Sequence, residues 1–160
     1  MIASYFQAEK QSALWLLAIG IAACSVAGGV FLSAGAPFYA GLAVPLALIG
    51  FLQVTLGAAT ARRSDFQADD LEKLHRESPA EFRKQEYARM QILLRNLART
   101  KWVEAAFVVL GLAIILLTPP AVFTKGLGAG LFAQGSVQLF FDFLADKRAK
   151  AYLTFITDQP

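Results

Sequence analysis

The chain has 160 residues, 56% of them apolar, with a mean hydropathy of +0.49 and a formal net charge of +3. A soluble core of this size would not leave stretches 14–32, 38–61 and 103–117 so nearly uncharged, which excludes an ordinary soluble domain. One cysteine excludes an internal disulfide, and one cysteine with one histidine excludes a His/Cys metal cage.

The first span is expected at 13–33, with Trp15 at its interfacial start. Inside it, Ile21-Ala22-Ala23-Cys24 is similar to a lipoprotein processing site. The head sets Glu9 beside Lys10 and lacks a net positive n-region, so Cys24 reads as a small residue in mid-span. Residues 34–37 form a short uncharged connection to a second span at 38–61. Pro45 within that span predicts a mild kink, tolerable where neighbouring helices cover the freed carbonyl.

Residues 62–101 read as a helical hairpin outside the bilayer. Ser64 with Gln67 and Ser78 with Glu81 have the spacing of capping boxes, which satisfy unpaired N–H groups at a helix start. Pro79 suits a first helical position, where its missing donor costs nothing. The first hairpin helix is expected at 65–77, with Phe66, Leu71 and Leu74 as a thin apolar stripe. The second carries Phe82, Tyr87, Met90, Leu93, Leu94 and Leu97 at helical spacing. No breaker separates Pro79 from Thr118, so this helix should continue into the third span at 102–118. Pro119-Pro120 ends that span, because proline lacks the N–H and crowds the preceding turn.

The fourth span is expected at 121–145. Gln134, Gln138 and Asp142 lie four residues apart on it and share one helix face. The fold class is thus all-α, an integral membrane four-helix bundle. Its parts are a transmembrane hairpin (1–61), a cytoplasmic helical hairpin (62–101), and a second transmembrane hairpin with a cytoplasmic tail (102–160). Of the 15 Lys and Arg residues, only Lys125 falls on the opposite side of the bilayer from the rest. The positive-inside rule then places both termini and the central block in the cytoplasm.

The two halves look repeated. Without gaps, residues 41–63 and 126–148 match at Gly41/Gly126, Leu42/Leu127, Leu46/Leu131, Gly50/Gly135, Gln53/Gln138 and Arg63/Arg148. Two hairpins of one orientation form a parallel repeat about an axis along the membrane normal. That repeat sets Gln53 and Gln138 at similar depth, with Gly50 and Gly135 one turn away to allow close approach. Asp142 aligns with Gly57, and Glu104 enters on the third span near the depth of Asp142.

Gln53, Glu104, Gln134, Gln138 and Asp142 therefore form an expected intramembrane polar seam, costly in lipid and in need of partners. It serves either as a structural network, its carboxylates paired to Arg62, Arg63 or Lys10, or as a proton, cation or polar-ligand site. Arg62, Arg63, Arg95, Arg99, Lys101 and Arg148 form a basic collar at the inner face, suited to anionic headgroups.

Catalysis finds little support. His75 lies in the hairpin, no serine stands in a nucleophile motif, and no Gly-rich loop follows a strand. No cofactor is implied. The central basic residues are interleaved with Asp65, Asp69, Asp70, Glu72, Glu77, Glu81 and Glu86, a solvated mixed-charge surface rather than a nucleic-acid site.

Gly50-x-x-Gln53, Arg63-x-Asp65-x-Gln67, Glu86-x-x-Arg89-Met90, Trp102-x-Glu104 and Gln138-x-x-x-Asp142 with Arg148-x-x-x-Tyr152 form a pattern. It resembles a group of small four-helix bacterial membrane proteins of unassigned role, across about residues 50–152. The likeness implies a bacterial inner membrane and no activity. Pore-forming-toxin immunity proteins are similar in size and span count, but no motif ties this chain to them.

Two functional classes follow. One is a non-enzymatic membrane protein that binds another protein or a second copy, as an immunity protein or accessory subunit does. The other is a small oligomeric transporter or channel that uses the seam. The topology itself is testable. Single cysteines at Ala36 and Lys125 should label from outside the cell, and one at Glu77 should not. External labelling at Glu77 would overturn the arrangement.

Overall fold

A computed structural model describes residues 1–33, 35–120 and 122–158. Four helices run through them: α1 (Ile2–Leu32), α2 (Pro37–Glu77), α3 (Pro79–Leu117) and α4 (Phe123–Thr157). No strand occurs among the described residues. Ala34 in the first connection, Ala121 at the expected start of the fourth span, and the last two residues of the tail lie outside the described residues.

Each helix is long and apolar enough to cross a membrane. Each also overshoots it. With 41 residues, α2 is about 60 Å long, roughly twice the hydrocarbon thickness. The bundle therefore has two tiers, one apolar and one charged. Only 11% of the most apolar window of α3 is buried by the chain itself, so lipid or another chain must cover the rest.

The charged tier differs from the hairpin expected over 62–101. The expected separate helix at 65–77 is the distal part of α2, which continues unbroken across Ser64. Neither expected capping box forms. Ser64 is buried in mid-helix, and its Oγ donates to Thr60 O at 2.9 Å and Glu9 Oε2 at 3.0 Å. At Ser78 no side-chain cap bond exists. The reversal is held by backbone instead, Ser78 N–H to Leu74 O and Phe82 N–H to Ser78 O. Pro79 does open α3, and α3 does run into the third span.

The ends of the chain complete this tier. Residues 2–12 continue α1 and residues 146–157 continue α4. Ile2, Tyr5, Phe6, Phe82, Met90, Ala149, Tyr152 and Ile156 form one buried core, flanked by Leu71, Leu74, Leu93, Leu94 and Leu97. Of the stripe from Phe82 to Leu97, Phe82 and Met90 are buried in this core, Leu93, Leu94 and Leu97 are half-buried against it, and Tyr87 is exposed. Tyr5 and Tyr152 stack at 4.3 Å between ring centroids, which joins the first helix to the last.

The apolar tier is built on small residues, because water drives no association between apolar helices in lipid and close backbone packing must replace it. The tightest approach is between α2 and α4. A Cβ on Gly41 would overlap Phe123 O and crowd Leu127 N, and one on Gly126 would overlap Phe38 O and crowd Leu42 N. These contacts are reciprocal. A shift of 85 residues carries Phe38, Gly41 and Leu42 onto Phe123, Gly126 and Leu127.

The flanking helices follow a neighbouring register. Gly50 faces Gly20 O, Ala23 and Cys24, while Gly135 faces Glu104 O, Phe107 and Val108, so α1 maps onto α3 with a shift of 84. Trp15 and Trp102, 87 apart in sequence, are therefore one turn out of register, although both are exposed. Contacts are close within the α1–α2 and α3–α4 hairpins and between α2 and α4, and sparse between α2 and α3 and between α1 and α4. Seen down the axis, α2 and α4 form the centre, α1 and α3 the flanks, and a lateral groove opens on each side.

The α2–α4 contact should be intolerant of a single methyl group. Gly126→Ala is expected to cost about 1–3 kcal/mol through overpacking against backbone. Gly28→Ala, where a Cβ meets nothing within 4 Å, should cost nothing. Denaturant unfolding in detergent compares the two.

Candidate functional site

The expected seam divides into two clusters. The first is an amide cluster between α2 and α4. Gln53 is 0% exposed, and its Nε2 donates to Gln134 Oε1 at 2.8 Å and to Gln138 Oε1 at 3.4 Å. A side-chain amide in apolar surroundings costs about 2–7 kcal/mol unless hydrogen-bonded, which explains why three glutamines converge. The spacing of Gln134 and Gln138 lets both reach Gln53 from one helix face. Gln53 Oε1 is buried with no hydrogen-bond partner among the described residues.

The second cluster is acidic and joins α3 to α4 at the end of the apolar tier that adjoins the charged tier. Thr100 Oγ1 donates to Asp142 Oδ2 at 2.6 Å. Glu104 faces Asp142 closely enough for one carboxyl to hydrogen bond the other when a proton lies between them. Glu104 is 8% exposed, and its Oε2 has no hydrogen-bond partner among the described residues. Two facing carboxyl groups in apolar surroundings need positive charge between or beside them.

That charge does not come from the residues expected to supply it. Lys10 pairs with Asp65 at 2.7 Å, Arg63 pairs with Glu9 at 3.7 Å, and Arg62 is exposed. The reason is topological. These residues belong to the α1–α2 hairpin, whereas Glu104 lies on α3, on the opposite flank. The cation that acts on both carboxyl groups is Lys101, which itself pairs with Asp146 at 3.2 Å and lies 5.3 Å from the centre of the Phe143 ring.

The basic collar is likewise partly committed within the chain. Arg148 Nη1 donates to Ser12 Oγ at 2.8 Å, and Arg63 and Lys101 hold the ion pairs just described. Arg62, Arg95 and Arg99 are exposed at the rim of the apolar tier.

One buried polar group was counted as surface in the sequence. Glu86 is 1% exposed, and Arg89 binds it through Nε at 2.7 Å and Nη2 at 2.6 Å. The guanidinium also lies 5.3 Å from the centre of the Phe6 ring. Burial alone would lower the Arg89 pKa, but the two bonds to Glu86 outweigh it and hold the group above its ordinary value. Around this pair, burial pushes the Tyr5 hydroxyl up to about 12, aided by the Glu9 charge. Burial and the Glu86 charge raise Tyr152 as well. The signal available was Glu86-x-x-Arg89 at ion-pair spacing, but nothing in the sequence said that α1 and α4 would cover it.

His75 packs edge-on against Phe82 at 4.8 Å, away from both clusters. Among the described residues no group of three or more His, Cys, Asp or Glu could hold a metal ion. No protein-family description, curated protein sequence or solved structure matches this chain.

The amide cluster predicts its own cost. Gln53→Leu strips Gln134 and Gln138 of a shared donor and should destabilise the bundle by about 1–3 kcal/mol for each acceptor left buried. Equilibrium unfolding in detergent measures it, and an unchanged midpoint would show that these amides are satisfied some other way.

Proposed function

We propose that this chain is a non-enzymatic, multi-pass protein of a bacterial inner membrane that acts by binding another protein. An immunity-type factor or an accessory subunit acts in this way. The observation that carries the reading is the closed interior. The backbones of α2 and α4 meet at Gly41 and Gly126, and Gln53 with Gln134 fills the space between them further in. A single chain with its axis occupied in this way has little room to pass a solute, so its activity resides in its surfaces.

The charged tier supplies such a surface. It is a bundle with its own core, reaching well past the bilayer, and it carries solvated charge of both signs. Both termini and this tier belong in the cytoplasm on the positive-inside rule. Arg95 and Arg99, exposed at its base, fit an acidic partner or anionic headgroups.

Glu104 and Asp142 favour a second reading, an oligomeric transporter, since intramembrane carboxyl groups mark ion pathways. Two measurements separate the readings. Crosslinking in the native membrane should capture a stoichiometric protein partner, and Arg95→Glu with Arg99→Glu should weaken its capture at least tenfold. Reconstituted vesicles should show no proton flux. Flux that disappears with Asp142→Asn would establish the transporter instead.

A further inference from the structure

The two halves share a frame, and three of the exchanges between them add polar groups at one end of the apolar tier. The pseudo-two-fold relates the two lateral grooves. The groove between α1, α2 and α4 has a volume of about 310 Å³ and is walled by Ile19, Ala23, Val26, Leu46 and Val137, with Gln134, which also lines its counterpart, as the polar side chain in the wall. Its counterpart between α2, α3 and α4 has about 270 Å³. The second has apolar walls too, among them Ile49, Leu52, Leu56, Val103 and Phe107, but Thr100, Glu104 and Gln138 line it as well.

The registers locate the difference. Shifts of 84 for the flanking helices and 85 for the central ones put Thr100 where the first half has Leu16, Glu104 where it has Gly20, and Asp142 where it has Gly57. All three exchanges add a polar group at the same end of the apolar tier; Thr100 and Glu104 line the groove, and Asp142 accepts a hydrogen bond from Thr100. Packing does not require them, because the first hairpin closes with leucine and two glycines in those positions. Glu104 is nine-tenths buried, lines the cavity, and keeps Oε2 without a partner among the described residues.

Polarity is also ordered along the groove. Glu104 and Thr100 lie at its inner end, with Lys101 and Trp102 between them in sequence and Asp142 bonded to Thr100, and Phe107 and Ile49 lie deeper in the apolar tier. An occupant must present positive charge at the interface and an apolar body towards the bilayer centre. At about 270 Å³ the groove lies just below the range of ligand pockets, typically about 300–1,000 Å³, so its occupant is small.

The geometry points to a binding site for a small amphipathic cation, an ammonium head on a short apolar body, with its head at Glu104 and Asp142 and its body between α2 and α3. This goes beyond the protein-binding reading and does not depend on it. Entry is lateral, from the bilayer, because α2 and α3 hardly touch.

Native mass spectrometry of the full chain released from a neutral detergent tests the site, with decylamine, decanol and decanoate as probes. One decylamine per chain is expected, bound at least tenfold more tightly than decanol, with decanoate excluded. Glu104→Gln should remove that preference while leaving decanol binding unchanged. Leu52→Trp should block decylamine and decanol alike, and Ile19→Trp in the sister groove should block neither. Asp142→Asn serves as a second charge variant should Glu104→Gln fold poorly, and it should weaken decylamine in the same sense. Equal binding of decylamine and decanol would mean an apolar groove filled by any chain, and would overturn the site. So would a decylamine preference that survives both charge variants, or no adduct at all.

Discussion

The contact of α2 with α4 at Gly41 and Gly126 determines the rest of the bundle. Two helices whose carbonyl oxygens lie where a Cβ would stand cannot admit a third helix between them. They become the centre, and α1 and α3 are left to pack on the outer faces, each beside its own hairpin partner. The reciprocity of the contact gives the tier its two-fold symmetry. It also produces two grooves rather than a central cavity, since the space that a wider bundle would enclose is taken up by backbone.

Close approach brings polar groups together as well. With α2 and α4 in contact, Gln53 meets Gln134 and Gln138, and its Nε2 donates to both side-chain oxygens. In lipid the alternative is an unpaired amide, so the cluster opposes any sliding of α2 along α4. Glu104 and Asp142 stand apart from this arrangement. They belong to the α3–α4 hairpin, have no equivalents in α1–α2, and are unnecessary for the fold in the half that lacks them.

The charged tier holds together by a different principle. It lies outside the apolar window of the helices, where water restores the hydrophobic effect, and its core is aromatic and aliphatic rather than glycine-rich. Glu86 is buried there, and the half-buried Arg89 holds it in a bidentate pair. Removal of Arg89 leaves the Glu86 charge buried and uncompensated, at a cost of about 3–5 kcal/mol. Through the Phe6 ring the pair ties α3 to the end of α1, and it stiffens the part of the molecule best placed to meet a partner.

The sequence by itself determined the four apolar segments, the stop at Pro119-Pro120, the unbroken run from Pro79 through the third span, and the repeat, because each depends on local pattern or on residue-by-residue identity. It also singled out Gln53, Gln134 and Gln138, since polar side chains at helical spacing within apolar stretches stand out in one dimension. Other features depended on which helix lies beside which. The spacing of Ser64 and Gln67 looks like a cap, yet a mid-helix serine with Glu9 opposite satisfies the same groups, and only tertiary structure supplies Glu9. Residues 2–12 and 146–157 are too short to stand as separate elements, and they extend α1 and α4 where their apolar side chains share one core with α3. The counterions of Asp142 and Glu104 were misassigned for the same reason. Charge in a sequence has sign but no distance, and the flank on which Arg63 and Lys10 lie was decided by packing at Gly41 and Gly126.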